Sequence, residues 1–72
     1  MTEDLFGHRL KKVLTERGMM QKELATKTGI TELSISRYIH GGRIISVPIL
    51  IEICKALNVS ADYLLGLSEV TE

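Results

Sequence analysis

Residues 21–42 read QKELATKTGITELSISRYIHGG and decide the fold. The segment contains two short amphipathic patterns, one on each side of Gly29. Leu24–Ala25 lie on one face of the first pattern, and Ile35 shares a face with Tyr38–Ile39 in the second. Apolar residues three or four positions apart predict helices, and the Gly-Ile-Thr between them predicts a tight turn. Two helices joined this closely at a glycine form a helix-turn-helix.

The two central helices have predictable starts. The first is expected over about 21–28 and the second over about 31–40. Met20 occupies the N-cap position of the first and has no side-chain oxygen to accept from the free amides. That end therefore lacks about 1 kcal/mol of capping. Thr31 is a good N-cap for the second helix.

Another helix is predicted before this centre, over residues 2–17. Thr2 or Asp4 can cap its start, and Gly18 can end it in a left-handed conformation. Gly7 in its interior costs about 1 kcal/mol relative to alanine, which indicates close packing or fraying at that point. Its apolar stripe faces the core and consists of Phe6, Leu10, Val13 and Leu14.

Two more helices are predicted after the centre. Ser46 is the expected N-cap of the fourth helix, and Ser60 caps a short fifth helix over Ala61–Leu65. The fourth helix is expected to be the most buried because of its wide apolar face of Leu50, Ile51, Ile53, Cys54 and Leu57. The prediction is an all-α, compact five-helix bundle in residues 1–66, followed by a short acidic tail, residues 67–72, that is expected to fray.

The formal net charge is zero, but the charges are unevenly distributed along the chain. Residues 8–43 contain eight lysines and arginines against three glutamates, a balance of +5, and the remainder has a balance of −5. A basic segment that coincides with the two central helices is the pattern that phosphate binding requires. Within it, His8, Lys11 and Lys12 lie away from the apolar stripe of the first helix and are interpreted as an ordinary solvated surface.

The composition argues against several classes of protein. Seventy-two residues, 44% of them hydrophobic, allow one small core and no deep enzyme cleft. No apolar run approaches the roughly 20 residues of a membrane span. The single cysteine, Cys54, cannot form an intramolecular disulfide and, with no signal peptide at the start, indicates a cytoplasmic protein. His8, His40 and Cys54 have no metal-ligand spacing and no catalytic set can be assembled, so no enzyme, metal or other cofactor is expected.

The spaced residues of the centre resemble the Cro and lambda-repressor-like helix-turn-helix family. The matching positions are Gln21, Leu24-Ala25, Gly29, Ile30, Ile35-Ser36 and Gly41, with FGxRL in the first helix and ALNVSADYLLG near the end. The likeness extends over Phe6–Gly66. It implies that helix three lies in the major groove of DNA while helix two crosses the backbone above it.

The resemblance also implies roles for individual residues. Gln21 matches a phosphate-binding position, and Lys22, His40 and Arg43 are the other phosphate candidates. The outward positions of helix three, which would contact bases, are Thr31, Glu32, Leu33, Ser36 and Arg37.

Three of these outward residues suit different base edges. Arg37 can bind guanine in a bidentate manner or grip a phosphate, and Leu33 can pack on a thymine methyl group. Glu32 can accept a hydrogen bond from a cytosine amino group. An equally good interpretation of Glu32 is a charge that stabilises the helix N-terminus.

Two departures from the family pattern are visible. Leu14 and Ile39 replace an arginine and a glutamate that many members pair, so direct packing between Leu14 and Ile39 is predicted. Ile44 and Ile45 make the loop after helix three apolar. This pair is either a core anchor for the loop or a dimer contact.

The expected partner is double-stranded DNA, with a near-palindromic operator bound by a homodimer and half-sites about 34 Å apart. No membrane and no small-molecule ligand is expected. The function implied is a sequence-specific, DNA-binding transcriptional regulator, a repressor of phage or bacterial type. The alternative is a protein-interaction module, such as an antitoxin-like partner with secondary DNA binding, which the neutral net charge and the apolar loop favour.

Overall fold

A computed structural model describes residues 5–71 of the chain. Across that range the chain forms five α-helices and no β-strand, which confirms the all-α prediction. The predicted caps at Thr2 and Asp4 lie outside the described residues. The helices are α1 Leu5–Arg17, α2 Gln21–Thr28, α3 Glu32–Ile39, α4 Val47–Leu57 and α5 Ala61–Leu65.

Hydroxyl side chains start three of the helices. The side chains of Thr31, Ser46 and Ser60 each accept a hydrogen bond from the backbone amide three residues later, at the starts of α3, α4 and α5. Met20 precedes α2 with extended backbone angles and makes no side-chain cap hydrogen bond. All four predictions about these helix starts are therefore confirmed, because capping depends on residues within one turn of each other.

The corner between α2 and α3 is held by one glycine and one threonine. Gly29 has a φ of +74°, in the left-handed region that favours glycine, and its amide donates to the Ala25 carbonyl at 2.9 Å. The Thr28 hydroxyl donates to the Leu24 carbonyl at 2.8 Å and accepts from the Ile30 amide at 3.2 Å. These hydrogen bonds fix the direction in which the chain enters α3.

The core draws apolar residues from all five helices. It contains Leu10, Val13, Leu14, Leu24, Ile35, Tyr38, Ile39, Leu50, Ile53, Leu57, Val59, Tyr63 and Leu64. Phe6 packs against this cluster but is only half-buried. The expectation for α4 was wrong in one respect, since Ile51 is 48% exposed and Cys54 is half-buried. The buried face of α4 is the narrower Leu50–Ile53–Leu57 stripe, and Ile51 lies to one side of it.

Gly7 lets α1 approach the C-terminal end of α3. A Cβ atom placed on Gly7 would lie 2.1 Å from the carbonyl oxygen of Ile39 and 2.8 Å from that of Tyr38. Real side chains do not approach a backbone oxygen this closely. Close packing is therefore the reason for a glycine inside the helix, rather than fraying.

The acidic tail is bonded back to the domain, so the expected fraying is wrong for residues 67–71. The Ser60 amide donates to the Thr71 carbonyl at 2.7 Å, and the Leu67 amide donates to the Asp62 carbonyl at 2.8 Å. The division of the chain at residue 66 stays a prediction.

Candidate nucleic-acid interface

Helix α3 has one packed face and one open face. Its buried residues are Ile35, Tyr38 and Ile39, all at most 7% exposed. Of the five predicted base-reading residues, four are exposed and one, Ser36, is half-buried. The exposed residues are Thr31, Glu32, Leu33 and Arg37, with Leu33 at 62%.

The open face of α3 carries three different chemistries within two turns. Glu32 is anionic, Leu33 is apolar and Arg37 is cationic. Thr31 is less available than its exposure indicates, because its hydroxyl accepts from the Ser34 amide at 3.1 Å and donates to the Ser34 hydroxyl at 2.9 Å. That hydroxyl already makes two hydrogen bonds, so Thr31 serves α3 first as a cap.

The predicted phosphate-binding residues do not form one cluster. Gln21 and His40 line two different cavities, which adjoin each other along α1. Arg43 lines another cavity, of about 210 Å³, with Phe6 and Gly7 of α1 and with Ile44 and Ile45 of the α3–α4 loop. Lys22 is exposed on α2 and borders a surface depression with Met20, Glu23, Thr26 and Lys27.

The groove along α1 consists of two adjoining cavities that share Lys11 and Ile39. The larger cavity, about 530 Å³, is lined by Gly7, His8, Lys11, Lys12, Ile39 and His40. The smaller cavity, about 220 Å³, is lined by Lys11, Leu14, Thr15, Met19, Met20, Gln21 and Ile39. Lys11 thus lies between Gln21 and His40, a position that the pattern of the first helix did not indicate.

Leu14 and Ile39 both belong to the core cluster and both border the smaller cavity. They are 4% and 7% exposed. The two positions therefore close the base of the groove with apolar surface. Direct contact between the two side chains stays a prediction.

Two of the eight lysine and arginine side chains in residues 8–43 donate hydrogen bonds to the C-terminal part of the chain, residues 57–69. Arg9 donates to the Tyr63 carbonyl at 2.8 Å, to the Ser68 carbonyl at 2.7 Å and to the Glu69 carboxylate at 3.0 Å. Its guanidinium also lies 4.4 Å from the centroid of the Tyr63 ring. Arg9 is 11% exposed and holds the tail against α5.

Arg17 is the second such cation. Its Nε donates to the Leu57 carbonyl at 3.0 Å and one terminal nitrogen donates to the Asn58 carbonyl at 3.3 Å, where α4 ends. A cation suits the free carbonyls of a helix C-terminus. The positive balance of the central segment therefore overstated the charge available to a ligand.

The two isoleucines of the α3–α4 loop have different environments. Ile45 is half-buried and packs against the core, as the anchoring interpretation expected, whereas Ile44 is 95% exposed. The two residues therefore differ: Ile45 anchors the loop to the core, and the side chain of Ile44 is exposed to solvent.

The remaining chemistry of the chain is sparse. Cys54 is a free, half-buried thiol, and burial raises its pKa, which lowers its reactivity. Within residues 5–71, no three His, Cys, Asp or Glu side chains are grouped to hold a metal ion. No helix in that range is both long and apolar enough to cross a membrane. Fold and site together define a helix-turn-helix domain with an open third helix.

Known proteins share this arrangement. The family model described as Helix-turn-helix matches residues 10–64. Two Bacillus subtilis proteins are each 38% identical: the HTH-type transcriptional regulator ImmR, over 92% of this chain, and the uncharacterized HTH-type transcriptional regulator YqaE, over 85%. The matches cover 52% and 53% of those proteins, so this chain spans about half their length.

Solved structures agree with the sequence matches. The restriction-modification controller protein C.AhdI from Aeromonas hydrophila superposes with a TM-score of 0.82 at 26% identity, over 86% of this chain and 94% of that one. A chain of the SinR protein/SinI protein complex superposes with a TM-score of 0.79 at 30% identity, over 83% and 59%. The chain belongs to the helix-turn-helix family of DNA-binding transcriptional regulators, which confirms the resemblance to Cro and lambda-repressor-like domains. This is a family of regulators and not of enzymes.

Proposed function

We propose that this chain is the operator-reading domain of a transcriptional repressor, with α3 in the major groove. The observation that carries the proposal is the division of α3 into a packed face and an open face. Ile35, Tyr38 and Ile39 hold the helix against the core, while Glu32 and Arg37 point away from it. A helix fixed on one side in this way presents its side chains to base edges with the backbone already ordered, so only side-chain freedom is lost on binding.

Each open residue supplies a distinct means of discrimination. Arg37 donates to guanine, Leu33 covers a thymine methyl group, and Glu32 accepts from a cytosine amino group while repelling nearby phosphates. A good base contact is worth about 1–3 kcal/mol of discrimination. The phosphate contacts from Gln21, Lys22, His40 and Arg43 orient the domain and add affinity that does not depend on sequence. Repression then follows from occupancy, since a bound domain blocks access of polymerase to the same DNA.

The experiment is selection of binding sites from random DNA at low salt, followed by variants on the selected site. Arg37→Ala is expected to relax the preference at one base position by about 1–3 kcal/mol. Lys55→Ala, on exposed α4 surface, is the control and leaves the preferences unchanged. Failure of the wild-type chain to enrich any sequence, together with binding that does not weaken as salt rises, would refute the proposal.

We also propose a homodimer on a near-palindromic site, with Ile44 at the contact between protomers. The side chain of Ile44 is 95% exposed, so burying it against Ile44 of a second protomer removes apolar surface from water and is favourable. The expected result is that the selected site has two-fold symmetry, with half-sites about 34 Å apart. Ile44→Glu should lower the dimer fraction in sedimentation, whereas Val70→Glu, which changes another exposed apolar residue, should not. A symmetric site bound equally well by Ile44→Glu would remove Ile44 from the interface.

One observation favours a second candidate, a module whose main partner is another protein. Val47 and Ile51 are 67% and 48% exposed and lie one turn apart on α4, which makes an apolar strip on the surface. Capture of a protein partner in the absence of DNA, by a chain that selects no DNA sequence, would favour this candidate. A Val47→Glu variant that keeps the wild-type circular dichroism spectrum but loses capture would assign the strip to that partner.

A further inference from the structure

The face of α1 beside α3 carries a compact group of lysines and histidines. His8, Lys11 and Lys12 are spaced at i, i+3 and i+4 and so share one helix face. His40, directly after α3, lines the same cavity of about 530 Å³. All four side chains are exposed, and no carboxylate lines the cavity among residues 5–71. We call this group the α1 basic cluster.

Gly7 is the reason that this cluster adjoins α3. Because the α-carbon of Gly7 carries no side chain, the α1 backbone can lie against the carbonyls of Tyr38 and Ile39. The side chains one turn further along α1 are therefore level with the end of the reading helix. A larger residue at position 7 would move the cluster away from it.

The cluster is continuous with a predicted phosphate contact. Lys11 also lines the smaller cavity of about 220 Å³, together with Gln21 at the N-terminus of α2. The free amides at that N-terminus favour an anion. A path of donors thus runs from Gln21 through Lys11 to His40, over the apolar base formed by Leu14 and Ile39.

Among residues 5–71, no carboxylate lies within ion-pair distance of Lys11 or Lys12. The one ion pair found among residues 5–71 joins Arg9 to Glu69, on the α5 side of α1. Lys11 and Lys12 make no hydrogen bond to a side chain or carbonyl in that range. Two lysines left free in a groove beside a reading helix suit an anionic polymer that follows the groove.

We propose that the α1 basic cluster binds the DNA backbone next to the major groove entered by α3, with Lys11 as the direct phosphate ligand. This inference rests on the proposed function. Lys12 adds positive charge beside the same phosphate, and His8 and His40 line the cavity as further hydrogen-bond donors. A single lysine–phosphate contact on B-DNA contributes about 0.9 to the slope of log affinity against log salt concentration.

The test measures that slope for the selected site with the wild-type chain, Lys11→Ala, Lys11→Arg and the control Lys55→Ala. Lys11→Ala should lower the slope by about 0.9 for each protomer bound, or about 1.8 on a two-fold site, and weaken binding equally on the best site and on sites with one altered base. Lys11→Arg should keep the slope. Lys55→Ala removes the same charge from α4 and should leave the slope unchanged. A Lys11→Ala slope equal to that of Lys55→Ala overturns the inference.

Ethylation of single phosphates locates the contact. We expect one phosphate whose ethylation weakens binding of the wild-type chain but does not weaken binding of Lys11→Ala. In a titration with inorganic phosphate, the amide NMR shifts of residues 7–12 should not reach saturation at micromolar concentration. If they do, the cavity is a small-anion site and the inference is overturned. The two proposals fail separately: no enriched sequence refutes the proposed function, whereas an enriched sequence bound without a contribution from Lys11 refutes only this inference.

Discussion

Replacing Gly7 with alanine adds one methyl group where α1 packs against the C-terminal end of α3. The new Cβ would lie 2.1 Å from the Ile39 carbonyl oxygen, 2.7 Å from its carbonyl carbon and 2.8 Å from the Tyr38 carbonyl oxygen. All three neighbours are backbone atoms, so no side-chain rotation can relieve the contact. Because ordinary contact begins at 3.4 Å and the shortest distance is 2.1 Å, this contact must lengthen by about 1.3 Å.

Two effects of opposite sign decide the magnitude. Alanine is favoured over glycine in a helix interior by about 1 kcal/mol, which would stabilise the variant if position 7 were open. Overpacking against a fixed neighbour costs about 1–3 kcal/mol, and more where only backbone can move. Separation of α1 from α3 also loosens the burial of Ile39. We expect a net loss of about 2 kcal/mol in the free energy of unfolding, from a total of roughly 4–11 kcal/mol for a chain of this length.

The assay is urea and thermal unfolding followed by far-ultraviolet circular dichroism. A loss of about 2 kcal/mol lowers the Tm by roughly 8–16 °C in a domain of this size. The control is Gly42→Ala, because a Cβ at Gly42 would lie 3.8 Å from its nearest neighbour, the Arg37 carbonyl oxygen, and its φ is not positive. Gly42→Ala should be neutral or slightly stabilising. If Gly7→Ala unfolds at the wild-type temperature or above it, the close approach is not a constraint and the account of how α1 is placed is wrong.

Three further predictions concern the cap, the tail and the thiol. Met20→Ser should raise the free energy of urea unfolding by about 1 kcal/mol, because serine can cap α2 and Glu23 then completes a capping box. If there is no gain, the exposed methionine contributes as much through packing. Arg9→Met should cost about 1–3 kcal/mol and speed hydrogen exchange of the Ser60 amide, which bonds to the tail; unchanged exchange would show that the tail holds its place without Arg9. Because burial raises the pKa of the Cys54 thiol, iodoacetamide at about pH 8 should modify the folded chain more slowly than the urea-unfolded chain, and equal rates would contradict that burial.

The ends of the helices could be predicted from neighbouring residues in the sequence. Thr31, Ser46 and Ser60 were predicted as caps and each accepts the expected amide hydrogen bond. Asn58 ends α4 with a φ of +52°, in the left-handed region that asparagine tolerates better than most residues. The open face of α3 followed from the same kind of reasoning, since its period alone separates the exposed Arg37 from the buried Ile35 and Tyr38. Whether Arg37 contacts a base is a matter for the selection experiment.

Long-range partners were beyond the reach of such patterns. Arg9 was counted with the cations available to DNA, yet its partners lie 54 to 60 positions away in the chain. Arg17 bonds to carbonyls 40 and 41 positions away. A charge balance over a segment records how many cations are present and not the direction in which each one points. The tail was expected to fray for the same reason, because no local signal reveals an arginine at the other end of the chain.

The sequence, read with its family resemblance, determined the helix-turn-helix, the five helices, the caps of α3, α4 and α5, and the open face of α3. These features arise from hydrogen bonds and periodicities within a few residues, which local chemistry encodes. Tertiary structure alone decided which cations remain free, which isoleucine of the α3–α4 loop is exposed, and that Lys11 lies between Gln21 and His40. Those outcomes depend on how closely helices distant in sequence approach one another. At Gly7 that distance is set by the absence of a single side chain.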